Sequence, residues 1–241
     1  MSCQFLESTT INVNECPGNF NWEGSDTKKQ YKHNKKRYGN VSPISNNVIY
    51  TLNKYGYRCP EFNKIDWTNS IVTLGCSHTL GIGINNDETY SNLLQENLNI
   101  PVINLGQGGT DLWYQIYNAI EVMKLNVRGV ILQVPNKERF TVFRGNQKSL
   151  SMGPWNIVKY KQMVDIWGNQ NNLKQWHSFG FDYIQKILGD KLLYSFSVVK
   201  IELPIEHISG VDMARDKGHY GIKTNQLIAK RITEELQYGL N

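Results

Sequence analysis

The sequence predicts an α/β fold built on a parallel sheet, and three observations predict it. Short apolar runs recur from Ser70 onward, namely "SIVTLG" (70–75), "PVINLG" (101–106), "GVILQV" (129–134) and "LLYSFSVVKI" (192–201). Segments of helical periodicity separate them, and alternation of this kind calls for parallel strands joined by crossover helices. The chain has 241 residues, 40% of them hydrophobic, enough to bury one sizeable domain.

Residues 1 to 40 are rich in Asn, Lys, Gly and Ser with few periodic apolar positions, so an irregular arm is expected, packed on the domain or mobile. Within it, "KKQYKHNKKR" (28–37) has six Lys or Arg in ten residues and supplies much of the net charge of +5. A solvated basic loop is the plain expectation. The alternative is a surface for phosphates or acidic groups, with Tyr31 and His33 interleaved for stacking on bases. No nucleic-acid-binding motif accompanies the run. Next, "VIYTLNKYGY" (48–57) reads as a hairpin or edge strand, and residues 58 to 67 lead into the core.

Between the strands, Asp87 to Leu98 reads as a helix opened by an acidic residue. Asp111 to Leu125 reads as a second, with Leu112, Ile116, Ile120 and Met123 on one side. Gly221 to Tyr238 gives a third, with Ile222, Leu227, Ile228, Ile232 and Leu236 as its apolar stripe. Residues 140 to 175 hold Trp155, Trp167 and Trp176 among many Asn and Gln, which suggests an inserted, partly helical segment over one edge of the sheet. The tryptophans are expected to pack rather than form a carbohydrate platform. The expected division is an N-terminal arm and extension over 1–66 and a main domain over 67–241, with an insertion around 140–190. No internal repeat is found.

The four cysteines (Cys3, Cys16, Cys59, Cys76) form no CxxC pair and none lies near a histidine at metal-ligand spacing, so neither disulfides nor a metal are expected. No stretch approaches the roughly 18 apolar residues of a membrane span, and "MSCQFLESTTINVNE" lacks the order of a signal peptide. A cytoplasmic protein is expected, or one associated with a virion or host cell if the source is viral. Neither a membrane nor a nucleic acid is an expected partner.

In an open parallel sheet, ligands bind at the carboxyl ends of the strands. The turns there contain Ser77, the glycines Gly106, Gly108 and Gly109, and Asn136. A serine hydroxyl becomes a useful nucleophile only when a base takes its proton and a further group orients that base. His219 lies in "ARDKGHYGIKTNQLIAKRI" with Asp216 three residues before it. That spacing can set the carboxylate at Nδ1 and leave Nε2 facing Ser77. The backbone N–H groups of Ser77 and Gly109, with the Asn136 side-chain amide, are candidates for an oxyanion hole.

Each residue alone has a bland role: a helix-capping serine, a capping acid with a surface histidine, a tight turn of glycines. All of them, however, fall at the expected ends of strands or helices. His78 is expected to point away along the turn, and Cys76 to be a small buried thiol. His207 and Asp212 form an alternative pair on the same late loop.

A serine after the first strand, "NLGQGG" after the second, an asparagine after the third and Asp-x-x-His before the last helix together resemble the SGNH hydrolases, also called the GDSL family of esterases and acylhydrolases. The upstream "NKYGYRCPEF" (53–62) is similar to an Asn-x-x-Gly-aromatic-Arg-x-x-Glu stretch that precedes the first strand in some branches. The resemblance runs from about residue 50 to the C-terminus, apart from 140–190. It implies a three-layer α/β/α sandwich of flavodoxin-like type and no cofactor or metal. Ser77 is then the nucleophile, His219 the general base and acid, and Asp216 its orienter. Ser77, Gly109 (or its neighbour Gly108) and Asn136 hold the oxyanion. The chain departs from the family in two blocks. Cys76 stands where Gly-Asp-Ser has its acid, giving a "GCSxTxG" form similar to phage-like and environmental sequences, and Val134-Pro135-Asn136-Lys137 replaces Gly-x-Asn-Asp.

The function expected is that of a serine esterase cleaving a small-molecule or glycan ester, with acetyl on carbohydrate preferred because the segments around the crevice are polar. An O-acyltransferase using the same triad and a non-catalytic binding or structural module are the alternatives.

Overall fold

The computed structural model describes residues 4–145, 147–156, 159–162, 165 and 169–238; Cys3 and Trp167 lie outside them. In chain order the main elements are β1 (Gly18–Phe20), α1 (Lys28–Tyr38), β2 (Tyr50–Leu52), β3 (Ile71–Leu74), α2 (Ser77–Leu80), α3 (Tyr90–Leu98), β4 (Val102–Asn104) and α4 (Leu112–Met123). They continue with β5 (Gly129–Gln133), β6 (Phe140–Gly145), β7 (Lys148–Met152), α5 (Gln170–Leu188), β8 (Leu192–Ser197), β9 (Glu206–His207) and α6 (Ile222–Tyr238).

Strands β3 and β5 are buried along their whole length, as apolar strands covered on both faces must be. The central sheet has the order β4-β3-β5-β8-β9, with every pairing parallel. Alternate residues serve opposite faces. Val72, Leu74, Val130 and Leu132 meet α4 and α5 on one side, while Ile71, Ile131 and Phe196 meet α3 and α6 on the other. The fold is a three-layer α/β/α sandwich around a parallel sheet.

Several local expectations are corrected. The buried stripe of α4 is Leu112, Ile116, Ala119 and Val122, whereas Ile120 and Met123 lie on its exposed side; a small alanine is easily overlooked in an apolar count. On α6, Leu227 is likewise exposed and Ile228, Ala229 and Ile232 are buried. The expected partly helical segment after residue 140 begins as an antiparallel hairpin, β6–β7. Asp111 ties that hairpin to α4, capping it at Tyr114 N (3.0 Å) and accepting from Thr141 N (3.0 Å).

The N-terminal forty residues pack on the domain, one of the two arrangements expected, but they are not irregular, since they carry β1 and α1. Phe5 and Leu6 are fully buried, and Tyr57 donates its hydroxyl to the Leu6 carbonyl at 2.6 Å. β2 pairs with β1 rather than with a neighbour in its own stretch. The basic run is a helix, α1, capped by Thr27 and closed at Gly39 with φ +87. Its anchor is an ion pair with 3% and 0% side-chain exposure: Arg215 reaches both oxygens of Asp26, at 3.1 and 2.5 Å. Tyr50 donates to the same carboxylate (2.6 Å), Arg215 donates to the carbonyls of Asn21 and Asn46, and its guanidinium lies against the rings of Trp22 and Tyr31.

Removing one partner of a buried pair strands the other charge. Asp26→Ala is therefore expected to lower the unfolding free energy by roughly 3–5 kcal/mol in urea titrations. A loss below about 1 kcal/mol would mean that solvent reaches and screens the pair.

Candidate active site

The site begins where β3 ends. At Gly75 a Cβ would fall 2.1 Å from Thr79 Oγ1 and 2.9 Å from Gln133, so the chain passes here only as glycine. Two buried glutamines then fix the turn. Gln115 accepts from Gly75 N and donates to Gly75 O, both at 3.1 Å, and Gln133 accepts from Cys76 N at 3.0 Å. Cys76, the buried thiol, donates to the same Gln133 oxygen. Asn104 donates to Thr79 O at 2.7 Å, and buried Arg58 donates to the carbonyls of Leu80, Gly81, Ile84 and Ile49. The short helix α2, with Ser77 at its start, is thus held through its backbone by side chains from elsewhere.

The second half is the loop before α6, closed by a bridge between Met213 and Tyr220. His219 Nε2 is 2.7 Å from Ser77 Oγ, and His219 Nδ1 is 2.7 Å from Asp216 Oδ2. Asp216 Oδ1 accepts from the backbone N–H of Gly218 and of His219, both at 3.1 Å, and Ser25 donates to Oδ2 at 2.6 Å. Burial pushes the Asp216 carboxyl up. The hydrogen bond and charge of His219, with the Ser25 and Gly218 donors, outweigh it and hold the carboxyl at about 2.

His78 does not point away: its ring lies 4.8 Å from the His219 ring and 5.0 Å from Tyr220. Burial, then the charges of His219 and Arg139, lower it to about 3, so it is neutral beside the dyad. His207 lies on β9, while Asp212 caps α6 through Thr224 and Lys223, so the alternative pair does not form.

Gly109 and Asn136 stand on the loops after β4 and β5, the two neighbours of β3, and neither is hydrogen-bonded to Ser77. Gly109 has φ +72, and Trp155 and Ser151 are the nearest side chains to where its Cβ would be. Gly108 is enclosed by Thr10 and gives its carbonyl to Thr9. Asn136 Oδ1 accepts from Glu138 N at 3.2 Å, and its Nδ2 has no partner among the described residues. Trp155 is half exposed, with the Arg139 guanidinium over its ring. A cavity of about 340 Å³, mostly apolar and lined by Leu112, Trp113, Val142, Trp176, Lys137 and Arg139 among others, adjoins the loop that carries Asn136; Ser77 and His219 do not line it. Among the described residues, no group of three or more His, Cys, Asp or Glu is arranged to hold a metal, and no helix is long and apolar enough to cross a membrane.

The sequence reading missed Ser25, Gln115, Gln133 and the part played by His78. Only Gln133 carries a signal, a lone amide inside an apolar run that is buried on both faces.

No family model matches the chain, and no curated protein matches it. Among solved structures, one from Desulfitobacterium hafniense DCB-2, provisionally assigned as a lipolytic protein of the G-D-S-L family, is similar at 16% identity with a TM-score of 0.39. The match covers 70% of this chain and 99% of that one. A likeness at this level carries no weight for function.

The folded value of Asp216 lies below its ordinary 3.8, so the carboxylate stabilises the fold fully above about pH 4 and loses that contribution as pH falls through about 2. The effect is roughly 2 kcal/mol. Urea titrations from about pH 5 down to about pH 2 are expected to show Asp216→Asn losing this part of the pH dependence; equal slopes in variant and wild type would contradict it.

Proposed function

We propose that this chain is a serine hydrolase of the SGNH/GDSL type, in the "GCSxTxG" form, acting on a carboxylic ester. The supporting observation is the continuous line Ser77 Oγ, His219, Asp216 Oδ2, with 2.7 Å at each hydrogen bond. That is the arrangement a hydroxyl needs in order to lose its proton as it attacks.

Ser77 Oγ attacks the acyl carbon while its proton passes to His219 Nε2. Asp216 stabilises the imidazolium that forms, and neutral His78 adds no second positive charge beside it. The oxyanion is held by the N–H groups of Ser77 and Gly109 and by the Asn136 amide, whose Oδ1 is engaged so that Nδ2 is left to donate. Collapse of the intermediate breaks the ester bond, and the alcohol leaves with the proton from Nε2. Water then gives a proton to the same nitrogen as it attacks the acyl-enzyme, and collapse breaks the bond to Ser77 Oγ, which takes that proton back as the acid is released. Ser25 is a positioning residue, holding Asp216 Oδ2 in line with the ring. Proton transfer and the oxyanion cradle both come from the chain itself, so the reaction calls for no cofactor. A small acyl group such as acetyl on a carbohydrate fits a triad that shares no lining residue with the apolar cavity.

Hydrolysis of p-nitrophenyl acetate, butyrate and octanoate tests the reading. Wild type is expected to favour the short esters, and Ser77→Ala and His219→Ala to lose at least about a hundredfold in kcat/KM. A fluorophosphonate is expected to label Ser77; folded protein that neither labels nor exceeds the buffer rate would sink the assignment. Ser25→Ala is expected to lower kcat by about tenfold with KM unchanged, and Ser25→Thr to restore it. A matching rise in KM would instead put Ser25 in contact with substrate.

A further inference from the structure

The first turn of the basic helix works against its own stability. α1 carries Lys28, Lys29, Lys32, Lys35, Lys36 and Arg37 and no acidic residue. Lys28 and Lys29 sit in the first turn, where the helix dipole disfavours cations, and Lys28, Lys32 and Lys36 repeat at four-residue spacing, which sets like charges side by side. None of the six forms an ion pair among the described residues. Lys35, Lys36 and Arg37 sit in the last turn, where the dipole favours them, and Lys35 and Arg37 lie over the rings of Tyr31 and Tyr38; the six cations together still face no carboxylate among the described residues, which points to an anionic partner outside them.

Its position narrows the choice. α1 starts three residues after Ser25, which is bonded to Asp216, and Asn34 on its inner face donates to Arg215 O at 3.0 Å. Lys217, two residues before His219, extends over the ring of Tyr38 at the end of α1. The cations therefore lie along a helix about 16 Å long that borders the 215–217 segment of the loop carrying Asp216 and His219. On the oxyanion side, Arg139 over Trp155 adds a further cation close enough to act on His78.

From this placement we propose that α1 and Lys217 bind the anionic backbone of the substrate, an O-acylated acidic polysaccharide bearing carboxylate or sulfate groups. The proposal deepens the hydrolase reading and rests on it for the ester. A glycan is favoured over a nucleic acid on two grounds. Tyr31, the aromatic residue in the run best suited to stack on a base, is packed against Trp22 and Arg215. Nucleic-acid backbones, moreover, are joined by phosphate esters, whereas polysaccharide hydroxyls are natural carriers of carboxylic esters.

The test compares wild type with the joint variant Lys28→Gln, Lys29→Gln, Lys32→Gln, Lys36→Gln, none of which lies in the catalytic machinery. The substrates are O-acetylated polygalacturonate, O-acetylated neutral glucomannan and p-nitrophenyl acetate. At low salt the variant is expected to lose about tenfold in kcat/KM on the polygalacturonate, through KM, and to match wild type on the other two. Raising NaCl to about 0.5 M closes the gap. The variant's Tm is expected to equal or exceed that of wild type. Unchanged turnover of the acidic polymer, or an equal loss on the neutral one, overturns the proposal. Direct binding of de-esterified polygalacturonate, measured in parallel, separates the two readings. If fluorophosphonate labelling and turnover both fail while binding persists in wild type and drops in the variant, the hydrolase reading is lost and the anionic surface stands. Tighter binding at equal salt to duplex DNA or to phosphatidylglycerol vesicles than to the polyuronate would overturn the glycan assignment.

Discussion

A guanidinium and a carboxylate with almost no access to water, Arg215 and Asp26, join parts of the chain 189 residues apart. Ion pairs of this kind are poor sources of stability, because desolvation of the charges offsets most of their attraction. What they impose is geometry, since neither group can be left without the other. Here the geometry has two products. The residue before Asp26 is Ser25, which the pair sets against Asp216, and the residue after Arg215 is Asp216 itself. One interaction fixes the Asp216 carboxylate from both flanks and holds the basic helix beside it.

The Ser77 side is built on the same principle with neutral groups. Gln115, Gln133 and Asn104 each spend their amides on backbone atoms of the turn around Ser77, and Arg58 serves the carbonyls that the four-residue helix leaves open. A buried backbone group without a partner is costly, so such side chains leave the turn few alternatives. Ser77 and His219 then meet at 2.7 Å because two separately braced loops end there.

The layers of the fold were legible because apolar runs in a parallel sheet are almost continuous, and they sit within a few residues of their expected places. The meeting of Ser77, Asp216 and His219 in space was legible because each marks the end of a strand or the approach to a helix. Ser25 was not, since a serine in a stretch rich in Asn, Lys and Ser has no local signature and its role arises from a contact 191 residues away. The direction of the His78 ring depends on how a short helix is seated, which periodicity does not encode. α1 was read as a loop because its inner face is polar: Asn34 is its buried side chain, and tertiary bonds override the repulsion among its lysines.

The bond between Ser25 and Asp216 also sets the order in which the molecule can be completed. Ser25 leaves the ribosome before its partners, separated from them at ~5–20 residues per second by about ten seconds or more of synthesis. During that interval the N-terminal segment has neither Arg215 to neutralise Asp26 nor a carboxylate to receive Ser25. The hydroxyl of Ser77 can already be seated after its strand, yet His219 is not there to meet it. The contact of Ser77 with His219 therefore waits for residues 215–219, and a ribosome that stalls before them leaves behind a sheet whose Ser77 has no imidazole to meet.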